Sequence, residues 1–92
     1  MSGRLEDTVN IGPALAHDLR AIGIEDLTAL RDVGAARAWI ELNCAGSRDC
    51  LHSLLALEGA VRGVRWMEIP PADRDAVARA ARDALALRGA MA

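Results

Sequence analysis

Two cysteines and a nearby histidine are the residues whose chemistry could suggest a metal site. Cys44, Cys50 and His52 follow the spacing C-x5-C-x-H, and His17 is the side chain that could complete four ligands. That spacing matches no common zinc signature. A disulfide would close one small loop, but two cysteines alone do not make a disulfide framework. We therefore predict no metal ligands, two reduced thiols buried beside a loop, and an exposed His52.

A carboxylate within an apolar stretch is the second chemical candidate. The predicted fourth helix has an apolar arc far wider than a surface stripe, so we expect it to be the buried centre of the fold. On a helical wheel Glu58 lies between two leucines, in the middle of that arc. A buried carboxylate needs a partner, and the candidates are the indole of Trp39 or Trp66, N–H groups at another helix start, or Arg62. The alternative is a general acid or base with a raised pKa, but no second catalytic group stands at a readable spacing. We predict that Glu58 and Arg62 are structural buried polar residues, with no catalytic and no cofactor-binding residues.

A short turn could hold a phosphate. In Asn10-Ile11-Gly12-Pro13 the backbone N–H groups precede a helix, where the helix dipole favours an anion. DNA-binding turns of this kind usually carry two glycines and a basic residue, whereas this chain has Asn10 and Ala14 at those places. Phosphate binding without several basic contacts is weak. A purely structural turn is favoured, and DNA contact through Asn10, Ile11, Gly12 and Ala14 is the alternative.

An apolar group precedes a pair of prolines. Trp66, Met67 and Ile69 are expected to pack the last helix onto the fourth, and any exposed part would be a natural protein–protein surface.

The second half of the chain is rich in arginine, which could form a stripe for an acidic partner. Because these arginines alternate with acidic residues, a solvated surface of ion pairs is favoured. They are Arg62, Arg65, Arg74, Arg79, Arg82 and Arg88.

Length and composition limit the classes of protein to consider. The chain has 92 residues, is 52% hydrophobic, and carries a net charge of -2. These values are typical of one small folded domain without a deep enclosed site. A sequence pI near 5.6 gives no general attraction to nucleic acid or anionic membrane. No apolar run has the length of a signal peptide or a membrane span, so we expect a cytoplasmic protein that does not contact membranes.

The apolar residues recur at intervals of three and four, which predicts an all-α fold. Five helices are expected in one compact domain over residues 1–92, with frayed ends at 1–7 and 89–92. Glycines and prolines mark the ends of the helices, and Asp26 is a suitable N-cap for the second. The predicted helices run from Gly12-Pro13 to Gly23, from Asp26 to Gly34, over about 35–44, over 49–62, and from Pro71 or Asp73 to about Arg88.

Two motifs give the chain a resemblance to a known family. N-I-G-P at residues 10–13, followed by Leu19 and Gly23-Ile24, resembles the first half of a helix-hairpin-helix module. Residues 54–71 then read L-x-A-L-E-G-A-x-R-G-V-x-W-x-x-I-P-P. Over about residues 8–80 the chain resembles the C-terminal domain of TfoX-like proteins, bacterial proteins named for a regulator of DNA uptake and competence.

The resemblance implies a helix-hairpin-helix-like fold and supplies no catalytic residues. Regulators of that name carry a separate N-terminal domain, so we expect this chain to be a stand-alone C-terminal module to which the competence role does not transfer automatically. The predicted function is a non-enzymatic interaction module that acts through a partner protein or as a homodimer and needs no cofactor. Weak, sequence-independent DNA binding through the turn at Asn10 to Pro13 is the alternative.

Overall fold

The computed structural model describes residues 4–46 and 50–91, with side chains to 89. Within these residues it contains five α-helices. Two short 3-10 helices, Leu5–Asp7 and Trp66–Glu68, complete the described structure. The all-α, five-helix prediction is confirmed. The α-helices are α1 (Pro13–Ala21), α2 (Leu27–Val33), α3 (Ala35–Cys44), α4 (Leu51–Arg62) and α5 (Pro71–Met91).

Local capping explains where the helices begin and end. Gly12 and Pro13 open α1, because proline fits the first helical position, where no N–H partner is needed. The carboxylate of Asp26 accepts a hydrogen bond from the Ala29 N–H at 2.9 Å and caps α2. Gly63 ends α4 in the left-handed region, at φ 78°, which glycine adopts without steric cost. The predicted start of the fourth helix at Asp49 lies outside the described residues; the observed helix begins at Leu51.

The α4 helix lies at the centre of the fold, as its broad apolar arc predicts. It packs against α2, α3, α5 and the second 3-10 helix. Its buried residues lie on more than one face, and Leu54, Leu57 and Ala60 are completely inaccessible to solvent. Trp39 of α3 is the large aromatic side chain of the same core. The core is therefore mostly aliphatic, with Trp39 as its large aromatic residue, and is built around one helix.

Packed structure begins earlier in the chain, and the last helix ends later, than the sequence predicts. Leu5 is fully buried, and the segment after it is joined to α1 by two hydrogen bonds of 2.6 Å from Arg20 to Glu6. The frayed segment predicted at 1–7 is therefore wrong for Leu5–Asp7, while residues 1–3 lie outside the described part. At the other end, α5 continues past Arg88 to Met91, and Arg88 pairs with Glu41 of α3. Among the described helices, none has the length and apolar character needed to cross a membrane.

Candidate functional site

The turn before α1 faces inward. Asn10 has a positive φ of 69°, and its side chain points at the segment after α4. Its amide nitrogen donates to the carbonyl oxygens of Val64 at 2.9 Å and Ala56 at 3.4 Å, and its oxygen accepts from the Trp66 N–H at 3.3 Å. Asn10 is therefore a bridge between the turn and the loop that carries Trp66.

Gly59 makes room for this bridge. A methyl group built on Gly59 would lie 2.4 Å from the amide nitrogen of Asn10 and 2.7 Å from the carbonyl oxygen of Val64. Both distances are shorter than real carbon contacts allow, so only glycine lets the turn and the loop approach α4 this closely. Gly59, which belongs to the sequence motif at residues 54–71, thus has a packing role.

The turn has fewer groups available to bind an anion than its sequence suggested. The side chain of Asn10 is engaged inside, the side chain of Ile11 is buried, and the Ile11 N–H donates to the Thr8 carbonyl oxygen at 3.2 Å. Gly12 and Ala14 are exposed at the start of α1, and Gly12 provides no side-chain cap. Of the four residues predicted for phosphate contact, Gly12 and Ala14 are the two that face solvent.

The Trp66 segment forms an exposed apolar surface. Met67 is 58% exposed and Trp66 is half-buried, whereas Ile69 is only 1% exposed and belongs to the core. The predicted interface residues therefore separate into a surface pair and an anchor. Trp66 and Met67 line an open groove of about 450 Å³ with three further residues, which we call the Trp66–Met67 groove: Val9, Asn10 and Arg65.

Val9 and Arg65 were not predicted as part of this surface. The signal available in the sequence was weak, since Val9 is a single apolar residue before a turn and Arg65 is one of many arginines. Of the described residues that line the groove, Arg65 alone is charged. The groove thus combines apolar walls with one positive charge.

The side chains of His52 and Arg74 also contact Trp66. The His52 ring meets the indole edge to face, with centroids 5.0 Å apart and planes at 73°. The Arg74 guanidinium carbon lies 6.0 Å from the centre of the Trp66 ring, at the outer limit of a cation–π contact. His52 is exposed, as predicted. Trp66 is therefore held by α4 and α5 as well as by Asn10.

The predicted buried pair is at the surface. Glu58 is half-buried and Arg62 is exposed, so their assignment as buried polar residues is wrong, because the rim of the helix arc next to α5 stays open to solvent. The expected pairing does occur: Arg62 donates to Glu58 at 2.6 Å and to Asp73 of α5 at 3.0 Å. The hydrogen bond to Glu58, and then that to Asp73, raises the pKa of Arg62. Glu58 is thus part of a surface link between α4 and α5. The Trp39 indole, which was a candidate partner of Glu58, donates to the Cys50 carbonyl oxygen.

The thiols also lie outside the core. Cys44 and Cys50 are both thiols, as predicted, but both are exposed, which corrects the expectation of buried thiols. Cys44 is the last residue of α3, and Cys50 directly precedes α4. Both positions lie at the edge of the domain and are open to solvent. The Cys50 sulfur lies 3.1 Å from the Ser53 hydroxyl. Within residues 4–46 and 50–91, no group of three or more histidine, cysteine or acidic side chains is placed to hold a metal ion.

Comparison with known proteins gives a consistent result. The family described as TfoX C-terminal domain matches residues 1–81, slightly more than the predicted 8–80. Protein Sxy of Escherichia coli strain K12 is 36% identical over 75 residues, which cover 82% of this chain and 36% of Sxy. The chain therefore spans about a third of that relative.

Two crystal structures from Listeria monocytogenes share the fold. An uncharacterized protein in a triclinic form is 33% identical with a TM-score of 0.82, and the match covers 88% of this chain and 92% of that one. A protein of unknown function in a tetragonal form is 34% identical with a TM-score of 0.79, over 88% of this chain and 99% of that one. Chains of nearly this length thus adopt the same helical arrangement.

Proposed function

The chain belongs to the TfoX C-terminal domain family, and from that premise we propose that it is a non-enzymatic interaction module that binds a partner protein through the Trp66–Met67 groove. The family links it to a competence-related bacterial protein, Sxy, of which it covers 36%. The cytoplasmic location expected from the sequence remains a prediction.

The exposure of Met67 beside Trp66 is the observation that carries this proposal. A methionine that is 58% exposed loses apolar contact with water only when a partner covers it. Aromatic residues, methionine and arginine are the residue types enriched at protein interfaces, and Trp66, Met67 and Arg65 supply all three. The groove therefore suits an apolar side chain with a carboxylate next to it.

The rigidity of the groove supports the same function. Ile69 anchors the segment in the core, and the side chain of Asn10 fixes its backbone. A preformed surface binds a partner without first paying the entropy of ordering its own loop. By contrast, the Glu58 carboxylate is engaged by Arg62 at 2.6 Å, in a link between two helices.

A peptide-display selection tests this proposal. Random peptides are selected on the full chain, and the binders are measured by fluorescence anisotropy against Met67→Glu. We expect enriched peptides with an acidic residue next to an aliphatic or aromatic one, and at least about a tenfold loss of affinity in the variant, because a carboxylate in an apolar contact is desolvated without a partner.

Leu87→Glu is the matched control. Leu87 is 63% exposed on α5, so the same charge replaces an exposed apolar residue elsewhere on the surface. Its binding should equal that of the unmodified chain. Peptides that bind all three proteins equally, or a selection that enriches none, would contradict the proposal.

The exposed start of α1 favours one second candidate, which is weak DNA binding. No side chain caps this helix, and Ala14 faces solvent there. Anisotropy of labelled single- and double-stranded DNA at 50 and 200 mM salt tests it, with Ala14→Glu against Ala80→Glu as the control on α5. Binding that falls steeply with salt and is lost only in Ala14→Glu would support DNA contact; no binding at tens of micromolar would exclude it.

A further inference from the structure

A second surface lies beside α5, on the side next to α4. Two open grooves of about 280 and 320 Å³ share Leu51, Asp75 and Ala78. Leu51 and Leu55 are half-buried and form an apolar floor, whereas α5 contributes charged side chains along the rim. None of these residues lines the Trp66–Met67 groove.

One side of α5 at this surface carries four exposed residues at helical spacing, with the buried Ala78 between them. Successive members are separated by four, three, four and four residues, so they lie on one side of the helix. No large side chain stands between Asp75 and Arg82 on this side, because Ala78 is small and lies low against α4, so another helix can approach closely. We name this set the α5 stripe; its members are Pro71, Asp75, Ala78, Arg82 and Ala86.

We propose that the α5 stripe is a homodimer interface in which the α5 helices of two copies pair antiparallel about a two-fold axis. Such an interface uses the same patch on both subunits, so the patch must complement itself. The midpoint of the stripe lies between Ala78 and Arg79, and Asp75 and Arg82 stand equally far from it on either side. Reversing one helix therefore places Asp75 opposite Arg82 of the second copy, and Arg82 opposite its Asp75.

The two charges are available for this contact. Among the described residues, Arg20, Arg62 and Arg88 form ion pairs within the chain, whereas Asp75 and Arg82 form neither an ion pair nor a side-chain hydrogen bond with one another or with any described neighbour. Both are exposed. Two reciprocal ion pairs would thus form without breaking any pair inside the chain.

The remaining features of the surface fit the same partner. Leu51 lies in both grooves beside Ala78, close to the midpoint of the stripe, so the second copy would cover apolar area where the two helices meet. Arg79 also lies near the axis, but Asp83, one helical turn later, is placed to form an ion pair with it. From Pro71 to Ala86 the stripe is about 22 Å long at 1.5 Å per residue. A contact of this size falls at the weak end of protein interfaces, so the dimer should form at high micromolar concentration.

Sedimentation velocity of the full chain from 10 μM to 1 mM, with a charge-reversal set, tests the dimer. Asp75→Arg and Arg82→Asp each place like charges opposite one another twice, and each should weaken dimerisation at least about tenfold. An equimolar mixture of the two variants should dimerise again, because both contacts between unlike copies then join opposite charges. Asp32→Arg on α2 makes the same charge change away from the stripe and should leave dimerisation unchanged.

Three results would overturn the proposal: a chain that is monomeric at 1 mM, single variants that dimerise like the unmodified chain, or a mixture no better than its components. Circular dichroism of each variant establishes that it is folded. Met67→Glu should keep the dimer, since the Trp66–Met67 groove is a separate surface. The dimer and the binding of a partner protein can therefore fail independently.

Discussion

Replacement of Asn10 by alanine should destabilise the domain by about 3 kcal/mol. The change removes three side-chain hydrogen bonds, to Val64 at 2.9 Å, Trp66 at 3.3 Å and Ala56 at 3.4 Å. A hydrogen bond in a folded protein contributes about 0.5–1.5 kcal/mol net, so one short and two long bonds amount to about 2 kcal/mol. Alanine at a φ of 69° adds roughly 1 kcal/mol, because asparagine, whose short polar side chain can hydrogen-bond locally, adopts the left-handed region more readily than alanine does.

Urea unfolding followed by circular dichroism and tryptophan fluorescence measures this loss. For a domain of this size, 3 kcal/mol corresponds to a fall in Tm of about 12–24 °C. Asn43→Ala is the matched control, since Asn43 lies within α3, where alanine favours the helix, and its cost should stay within about 0.5 kcal/mol.

A second variant separates the donated from the accepted hydrogen bonds. Asn10→Asp keeps the size of the side chain and an acceptor for the Trp66 N–H, but it faces the carbonyl oxygens of Val64 and Ala56 with a carboxylate. The two donated bonds are worth about 1.5 kcal/mol, and the carboxylate is also repelled by the two carbonyl oxygens, so the variant should cost about 2 kcal/mol or more. A cost below about 1 kcal/mol for Asn10→Ala, or an unchanged stability in Asn10→Asp, would show that the bridge does not hold the turn to the loop.

Three further changes follow from the same structure. Gly59→Ala should destabilise by about 1–3 kcal/mol in urea, because the new methyl group would overlap the amide of Asn10, 2.4 Å away; equal stability would refute the tight contact. Arg20 donates to Glu6 and lowers its pKa to about 2 from an ordinary value near 4.5, so this pair stabilises the fold above that value and its contribution is lost as the pH falls toward 2. Thermal melts should therefore show Glu6→Gln below the unmodified chain at pH 6 and level with it near pH 2, and a gap that persists would argue against the pair. Asp26→Ala should cost about 1 kcal/mol through the lost N-cap while Asp26→Asn retains most of it, and a similar loss in both would place the effect elsewhere.

The elements of the fold could be predicted because their signals are local. Pro13 at the start of α1, Asp26 at the start of α2 and Gly63 at the end of α4 act on backbone groups within four residues. Helical spacing of apolar residues likewise identified α4 as the central helix. These features need no knowledge of the tertiary structure.

The depth at which a residue lies could not be predicted in the same way. A helical wheel gives the direction of a side chain but not whether another element covers it, so Glu58 and Arg62 were expected to be buried and are found on the rim beside α5. The same limit explains Cys44 and Cys50, which are apolar enough for a core but lie at the domain edge. Ile69 and Met67, two residues apart, differ from 1% to 58% exposed.

By itself, the sequence determined the five α-helices, most of their ends and the family, since each depends on neighbours along the chain or on a contiguous motif. Only the tertiary structure decided the role of Asn10, whose partners Val64 and Trp66 lie 54 and 56 residues away. It also decided that Val9 and Arg65 share a groove and that Leu51 lies beside α5. The physical reason is that these surfaces form where distant segments pack together, and no periodicity within one segment records which residues of another segment will meet it.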